Sequence, residues 1–495
     1  MAQGFRTKLK NAQEPFVLAI DIGSTASRGC LYDARGLPID DTKARFAHTF
    51  TTSSDGTSII DADQIVTECR QILDFAARPK LAGRIAGVAI DTFSANLVGV
   101  DERGDAITPC YTYADGRCAD QVQELRSTFD EGQIQQRTGT RFHSSYLAPR
   151  LTWLRQTDPT LFGRVHRWMA LGEYIWLQLL GTTAIGTSAA AWTGLLDRHT
   201  GQWDGELLNH CGVQVEQLGE IRDPDQPLED LHGKASAEWP GLVGARWFPV
   251  VPDGLVSNIG AGAPDSRTMA ASAATSGAMR VIVNGIPEYI PSGLWAYRVS
   301  REKAILGGAL NDVGRAVTWM EETLRLKKTT LDEVFTREPS GDTPHVLPYF
   351  TGERSTGWAA RAQAAITGIT FDAQGPKLAR GVMEGVCQSY ARVFDQLAEV
   401  SGRPGEIRMS GRAMQAHPTW LAILADMLQL PVLPVTIKRA TLHGTALLAL
   451  DTLAPDVERA DPTTGATFEP RAEHGAHYAA ARERYEDLYS KLVEQ

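Results

Sequence analysis

The segment from Phe16 to Asp33, FVLAIDIGSTASRGCLYD, restricts the fold more than any other part of the chain. Apolar residues run up to Asp21, the small residues Gly23, Ser24 and Thr25 follow, and a second apolar stretch comes after them. This pattern predicts two antiparallel strands joined by a tight turn. The segment therefore predicts a β-hairpin that carries an acidic side chain at the end of its first strand.

A second segment has the same form. The run Ser272 to Val283, SAATSGAMRVIV, has small residues at a turn, then an arginine, then an apolar strand. Its residues Ser276, Ala278 and Arg280 stand at the same relative places as Ser24, Ala26 and Arg28 of the first hairpin. The correspondence indicates a duplicated unit, with chance recurrence of short Ser/Gly turns as the alternative.

The length of the chain predicts two domains, because 495 residues exceed what one hydrophobic core usually supports. Residues 247–262, WFPVVPDGLVSNIGAG, are rich in proline and glycine, so we place an N-terminal domain at residues 1–255 and a C-terminal domain at residues 256–495. Strand and helix patterns alternate in both, which predicts the α/β class. The patterns predict strands at Ile85 to Ile90 and Glu406 to Ser410, and helices at Ala62 to Ala77, Lys377 to Ser401, Ala440 to Leu453 and Ala472 to Glu494.

Composition argues against several functions. The net charge of −10 and the lack of any long Lys/Arg run argue against a nucleic-acid partner, which needs a concentrated positive surface. No apolar run approaches the roughly 18 residues of a membrane span. The polar N-terminus carries no apolar signal region, so we expect a cytoplasmic protein without a membrane partner. The six cysteines are scattered without metal-ligand spacing, and we expect reduced thiols.

The turn of the first hairpin is a candidate phosphate site. Gly23, Ser24 and Thr25 offer backbone N–H groups and small hydroxyls that can surround phosphate oxygens. Asp21 is a candidate ligand for Mg²⁺ through water, since Mg²⁺ keeps most of its hydration shell. The alternative is an ordinary β-turn beside a solvated aspartate.

Asp253 is the candidate catalytic base. It follows an apolar strand and precedes a helix in VVPDGLVSNIG. A carboxylate at such a place can accept the proton of an acceptor hydroxyl. The alternative is a helix N-cap, which aspartate often forms in this position.

Two later segments are candidate nucleotide turns. The runs Thr275 to Gly277 and Gly307 to Asn311 each follow an apolar strand. Small residues at such turns let a phosphate or an adenine approach the backbone closely. Plain turn chemistry is the alternative for each.

In this order, the features resemble those of the FGGY carbohydrate kinases, the family of glycerol, xylulose, ribulose and gluconate kinases. The similarity extends from Phe16 to Leu453 and is carried by the segments AIDIGSTASRG, TSAAAWTGLLDRHTGQWD, LPYFTGERSTGW, RGVMEGVCQSY and SGRAMQAHPTWLAILADMLQLPV. The resemblance implies two actin-like, RNase-H-like domains around a central cleft, the first binding mainly sugar and the second mainly ATP. It also implies an ATP-dependent phosphotransferase with an alcohol group as acceptor.

The resemblance further implies roles for the residues at matching positions. Asp253 matches the catalytic base and Asp21 the Mg²⁺-linked carboxylate. The phosphate-facing hairpin corresponds to Gly23, Ser24, Thr25 and Arg28, the nucleotide-phosphate turns to Thr275, Ser276, Gly277, Gly307 and Gly308, and the adenine site to Gly411, Met414 and Gln415. The chain departs from the family at Ala274 and Ser410, where glycine is usual. A side chain there restricts positive φ, so weak ATP binding or a different donor is an alternative.

The substrate loops favour a gluconate-type kinase. Glycerol kinases carry an Arg-Glu pair and xylulose kinases a Met-His pair where this chain has Ser94-Ala95. The Trp-x-Asp-x-Arg motif of the family reads Tyr113 to Arg117 here, which assigns Asp115 and Arg117 to the sugar. Candidate donors to a substrate carboxylate are Arg117, His143 and the hydroxyls of Ser144 and Ser145. The alternative for His143 is an ordinary surface or core histidine.

Other functions stay open at this point. A xylulose- or ribulose-type ketose kinase or a polyol kinase would use the same motifs. A non-kinase actin-like ATPase would share the hairpin and the phosphate turns, but Asp253 and the Gly352-Glu353-Arg354 loop speak against it. Ala274 and Ser410 also fit a catalytically impaired scaffold. The expected partners are a small sugar or sugar acid and ATP, and the resemblance allows a homodimer.

Overall fold

The computed structural model describes residues 5–230 and 233–493 of the chain. The first four residues of the polar N-terminus and Glu494, the predicted end of the last helix, lie outside this range. The chain forms two compact units. Unit 1 comprises Met1–Gly260, Ala296–Ala304 and Lys438–Asp461, and unit 2 comprises Ala261–Trp295, Ile305–Ile437 and Pro462–Gln495.

The units differ from the continuous domains 1–255 and 256–495, because two segments from the second half of the chain join unit 1. The larger segment contains the helix Ala440–Leu453. Leu442, Ala446 and Leu450 of this helix pack into a core cluster with Val17 and Ala19 from the N-terminal strand. The helix therefore folds with the N-terminal half of the chain, although it lies near the C-terminus of the sequence.

Up to Gly260 the structure contains short and long strands interleaved with helices. The strands are β1 Phe16–Ile22, β2 Ala26–Tyr32, β3 Ala44–Ala47, β4 Thr51–Thr52, β5 Ser58–Ile60, β6 Ile85–Thr92, β7 Val98–Val100, β8 Cys110–Tyr111, β9 Arg167–Met169, β10 Ile185–Gly186, β11 Leu196–Asp197, β12 Gln202–Trp203, β13 Ile221–Arg222, β14 Arg246–Trp247 and β15 Val251–Pro252. The helices are α1 Ala62–Ala76, α2 Ala119–Thr128, α3 Glu131–Thr138, α4 Leu147–Thr157, α5 Pro159–Arg164, α6 Leu171–Leu180, α7 Thr187–Trp192, α8 Gly205–Cys211, α9 Lys234–Glu238 and α10 Asp253–Gly260.

The rest of the chain continues the alternation. Its strands are β16 Thr268–Ala273, β17 Gly277–Asn284, β18 Trp295–Arg298, β19 Lys303–Leu310, β20 His345–Leu347, β21 Ala365–Thr367, β22 Glu406–Ser410 and β23 Val432–Pro434. Its helices are α11 Gly314–Thr323, α12 Lys328–Thr336, α13 Gly375–Ser401, α14 Arg412–Ala416, α15 Leu421–Leu428, α16 Ala440–Leu453 and α17 Gly475–Leu492.

The main sheet of unit 1 has the order β14-β6-β1-β2-β3, and β15 also pairs with β6. Every residue of β1 is buried, as expected of a strand covered on both faces. One face packs on α1, since a Cβ added at Gly29 would lie 2.2 Å from Cγ2 of Ile72 in that helix. The next residue, Cys30, packs into the α16 cluster on the opposite face. Helices on both faces thus leave the strand ends as the accessible part of this sheet.

The second main sheet repeats the hairpin topology of the first. Its order is β18-β19-β17-β16-β22-β23. In unit 1, β1 pairs antiparallel with β2 and parallel with β6. In unit 2, β16 pairs antiparallel with β17 and parallel with β22. The two predicted hairpins are therefore present, but Arg28 and Arg280 are not equivalent, since Arg28 pairs with Asp21 near the end of β1 and Arg280 pairs with Ala270 further inside β16.

All six cysteines are buried free thiols. Among residues 5–230 and 233–493, no helix has both the length and the apolar composition needed to cross a bilayer.

Glu173 in α6 makes the stability of the protein pH-dependent. Its carboxylate accepts the Ala170 N–H at 2.7 Å, but burial disfavours the charged form and raises the pKa of Glu173 from 4.5 to about 7. Because the folded-state pKa lies above the unfolded value, this stability is complete below pH 4.5 and is lost as the pH rises through 7.

We predict that Glu173→Gln, whose amide oxygen can still accept the Ala170 N–H, removes this loss. Relative to the wild type, the variant should gain about 2 kcal/mol of unfolding free energy between pH 5 and pH 8. Urea unfolding at the two pH values checks this. A wild type and a variant whose stabilities change in parallel between pH 5 and pH 8 would contradict it.

Candidate functional site

Three aspartates lie at one edge of the unit 1 sheet. Asp21 in β1 and Asp91 in β6 are register partners in parallel strands. Val251 in β15 pairs with Asp91 as well, and Asp253 follows as the first residue of α10. Because the three strands run in the same direction, their carboxyl ends meet here, and ligands of open α/β sheets bind at such ends. We refer to Asp21, Asp91 and Asp253 as the carboxylate edge.

Burial changes the ionisation of two of these acids. Asp91 is fully buried, and Thr445 Oγ1 in α16 donates to its Oδ2 at 2.6 Å. Burial and the neighbouring Asp21 raise the pKa of Asp91 well above its usual range. Burial also raises the pKa of Asp21, although Arg28 Nη1 donates to its Oδ2 at 3.1 Å and opposes the change. Two adjacent acids in such surroundings do not both ionise at low cost, so the pair retains a proton to higher pH than isolated aspartates.

Asp253 combines a helix-start contact with a place at the carboxylate edge. Its Oδ1 accepts the Gly254 N–H at 2.8 Å, at the beginning of α10, and the Ser94 hydroxyl at 2.9 Å. Ser94 follows β6, so this second contact links two neighbouring strand ends. The N–H bound here belongs to the next residue, whereas an N-cap binds the second or third N–H of a helix, and the two contacts together fix the direction of the carboxylate.

The turn between β1 and β2 lies beside Asp21. The Gly23 N–H donates to Ala26 O at 3.1 Å, which closes the turn. Arg28 reaches back across it, and its Nη2 donates to Thr25 Oγ1 at 3.5 Å. A Cβ added at Gly23 would lie 2.9 Å from Arg28 Nη1, so a larger residue would displace this arginine. The structure brings the predicted hairpin residues and Asp21 together, with Ser24 half-buried and Thr25 exposed.

Arg150 joins the two predicted substrate loops, and sequence reasoning missed it. This arginine of α4 is fully buried, and its Nη1 donates to Ala95 O at 2.9 Å while its Nη2 donates to Ser144 O at 3.1 Å. Ala95 has φ 52°, a conformation that is rare for residues other than glycine. An arginine in an amphipathic helix normally predicts a solvated surface, so no sequence signal indicated this role.

The remaining predicted sugar contacts are already engaged with each other. Arg117 donates to Asp115 through Nε at 3.0 Å and through Nη2 at 2.7 Å, and its guanidinium lies 4.5 Å from the ring centre of Trp153. The half-buried His143 contacts the Ser145 hydroxyl through Nδ1 at 2.5 Å. Arg117 is therefore a paired cation, and His143 is oriented by its own loop.

Aromatic side chains that sequence analysis had not assigned to the site lie near the carboxylate edge. Phe50 and Phe93 pack on Tyr113, with ring centroids 6.4 and 6.3 Å from it, and 43% of Tyr113 is exposed. A Cβ added at Gly254, beside Asp253, would lie 3.3 Å from Cζ2 of Trp192. Large apolar residues are usually part of a core, so their position at a site could not be inferred from the sequence.

The predicted nucleotide residues of unit 2 lie at two strand ends. Thr275 and Ser276 are exposed in the turn between β16 and β17. Gly277 begins β17, where an added Cβ would lie 2.4 Å from the Tyr390 hydroxyl. Gly411 follows β22 with φ 110°. Thr275 and Ser276 thus form an exposed turn, and the end of β22 at Gly411 has a conformation that favours glycine.

The other unit 2 positions differ in exposure and conformation. In α14, Met414 is buried, whereas Gln415 is exposed. Ala274 and Ser410 are not among the described residues with positive φ. Their side chains therefore do not strain the backbone, which removes the conformational argument for weak ATP binding at these two departures.

The prediction of a turn at Gly307 to Asn311 is wrong. Gly307 and Gly308 lie inside β19. A Cβ at Gly307 would lie 2.3 Å from Trp295, and one at Gly308 would lie 2.7 Å from Val393. These glycines permit close packing around a strand, so they do not form a phosphate turn.

Family models match most of the chain. The N-terminal domain of the FGGY family of carbohydrate kinases matches residues 16–250, and the C-terminal domain of that family matches residues 270–452. The chain belongs to the FGGY family of carbohydrate kinases. This FGGY kinase is an alcohol-acceptor phosphotransferase that uses ATP as the phosphate donor.

Individual relatives agree with this membership. A gluconokinase of Bacillus subtilis is 23% identical over 88% of this chain and 87% of its own length. A glycerol kinase of Koribacter versatilis is 25% identical over 97% of this chain and 98% of its own length. The solved gluconate kinase of Lactobacillus acidophilus has a TM-score of 0.88 at 25% identity, covering 97% of this chain and 98% of that one. The predicted family, the two-domain actin-like fold and the enzyme class are thereby confirmed.

Proposed function

We propose that this FGGY kinase phosphorylates gluconate or a closely related sugar acid, with Asp253 as the catalytic base. The observation that carries the proposal is the Asp253 carboxylate at the carboxylate edge, oriented by Ser94 and by the Gly254 N–H. The gluconokinase and gluconate kinase relatives support the substrate class. The small side chains of Ser94 and Ala95 support it as well, since they leave room for a polyhydroxy acid beside the base.

In the proposed mechanism, Asp253 takes the proton of the acceptor hydroxyl while the hydroxyl oxygen attacks the terminal phosphorus of ATP, and the bond from that phosphorus to the bridging oxygen breaks so that ADP leaves. The two hydrogen bonds to Oδ1 hold the carboxylate in one direction, which favours a productive position of the hydroxyl.

The carboxylate edge also fits a magnesium ion. Its donors are hard carboxylate oxygens, and Asp91 Oδ1 is buried without a hydrogen-bond partner within the described part of the chain. Within residues 5–230 and 233–493, no three His, Cys, Asp or Glu side chains are arranged to hold a metal by themselves. This suits Mg²⁺, which binds through one or two carboxylates and keeps several waters. Asp21 would hold the ion, which would supply positive charge to the phosphates of ATP.

Recognition of a sugar acid is assigned to Arg117. Its pairing with Asp115 uses Nε and Nη2, and we assign Nη1 to a substrate carboxylate. The same pairing also supports a second candidate, a neutral ketose or polyol, because a neutralised pair offers donors and acceptors to hydroxyl groups. The two candidates differ in whether the substrate carries a charge that Arg117 recognises.

We predict that kcat/KM for gluconate exceeds that for xylulose by about ten- to a hundredfold, the range expected for one charge-assisted hydrogen bond. Arg117→Ala should abolish the preference. Arg222→Ala, which removes an arginine paired with Glu220, is the matched control and should keep it. A preference for xylulose, or a preference for the acid that Arg117→Ala leaves unchanged, would contradict the assignment of a sugar acid.

We predict that Asp253→Asn lowers kcat by about 10² to 10⁴ and leaves sugar binding intact, because the amide cannot take the proton. Steady-state kinetics and calorimetric sugar binding check this. Asp158→Asn is the control, since Asp158 is an aspartate that only caps a helix, accepting the Leu161 N–H at 2.9 Å. If both variants lose activity to the same small extent, Asp253 is a cap and not a base.

A further inference from the structure

A buried histidine and a buried glutamate lie directly behind the turn of the first hairpin. His48 follows β3, and its side chain is completely buried. Its Nε2 lies 2.8 Å from Gly23 O, and its Nδ1 lies 2.9 Å from Oε2 of Glu68 in α1. Neither residue has a role in the family motifs or in the mechanism described above.

The ring of His48 connects the turn with α1. One nitrogen contacts the carbonyl oxygen of Gly23 and the other contacts the carboxyl group of Glu68. Two further contacts hold that carboxyl group in place. Ser27 Oγ donates to its Oε2 at 2.6 Å, and Gln64 Nε2 donates to its Oε1 at 3.0 Å. The result is a buried His–Glu pair whose acid has three hydrogen-bond partners.

His48 contacts the turn twice. Its backbone N–H donates to Thr25 O at 3.2 Å, and its ring donates to Gly23 O. Both carbonyl oxygens are therefore held towards His48. A carbonyl oxygen repels a phosphate, whereas backbone N–H groups and a nearby cation attract it. Holding the carbonyls inward leaves the hydroxyls and N–H groups of Ser24 and Thr25 for an anion.

We propose that the His48–Glu68 pair is a positioning device that holds the Gly23–Thr25 turn in the shape that receives the phosphate groups of ATP. This inference rests on the proposed kinase function and on the family resemblance that assigns this turn to the phosphates. Glu68 orients the imidazole, and His48 fixes the turn. Neither residue touches the reacting atoms.

Kinetics of two variants test the proposal. His48→Gln loses the contact with Gly23 O and should lower kcat/KM for Mg·ATP by about ten- to a hundredfold, with KM for the sugar changed less than about twofold. Glu68→Gln should lower kcat/KM for Mg·ATP less, by about two- to fivefold. A neutral imidazole can still donate to Gly23 O while it accepts a hydrogen bond from the new amide. Equal losses for ATP and sugar, or a larger loss in Glu68→Gln, would overturn the proposal.

His443→Gln is the matched structural control. His443 is also buried in unit 1 and bonds through Nδ1 to a glycine carbonyl, Gly260 O, at 3.1 Å. Its loss should lower Tm without changing KM for Mg·ATP. If it raises KM for Mg·ATP as much as His48→Gln does, the effect of His48 is general destabilisation and the proposal is overturned.

A spectroscopic measurement keeps the proposal testable if the variants fold poorly. In wild-type enzyme labelled with ¹⁵N-histidine, His48 Nε2 should carry a proton that is hydrogen-bonded to Gly23 O, and an Nε2 without a proton would overturn the proposal. Failure of the proposed function is distinguishable from failure of this inference. A wild type without sugar-dependent ADP release refutes the function, whereas an active wild type with an unaltered KM for Mg·ATP in His48→Gln refutes only the role of the His48–Glu68 pair.

Discussion

The parallel pairing of β1 with β6 sets Asp21 against Asp91, and the candidate site of unit 1 depends on that contact. Two carboxyl groups in a buried place are costly unless polar partners surround them. Arg28 from the neighbouring strand and Thr445 from α16 are those partners. Because α16 comes from the C-terminal part of the chain, residues distant in sequence meet at the carboxylate edge of the discontinuous unit 1.

The second sheet repeats the strand pairing but not the charge. Near the end of β1, Asp21 pairs with Asp91 of β6, whereas near the end of β16, Ser272 pairs with Ser410 of β22. A strand end without carboxylates does not repel the phosphates of a nucleotide, whereas one with carboxylates suits proton transfer and a metal ion. The two hairpins thus share a strand pairing but differ in the side chains at their strand ends.

The sequence predicted the elements whose patterns are local. The strand Glu406–Ser410 and the helix Ala440–Leu453 match the predicted bounds, and the first hairpin and Asp253 lie in the predicted local setting. A turn was predicted for Gly307 and Gly308 because small residues after an apolar run are typical of turns, and only packing against Trp295 and Val393 reveals a strand. Asp91, Arg150, His48 and Glu68 were not assigned roles. Each acts through a partner distant in sequence, which no periodicity indicates.

The central claim is that the acceptor sugar lies at the carboxylate edge, with its reactive hydroxyl at Asp253. A crystal structure of the enzyme with bound gluconate tests it most directly. The account predicts a substrate hydroxyl oxygen about 2.6 to 3.2 Å from a carboxylate oxygen of Asp253, with the substrate carboxylate at Arg117. A sugar bound with no hydroxyl within reach of Asp253 would contradict it.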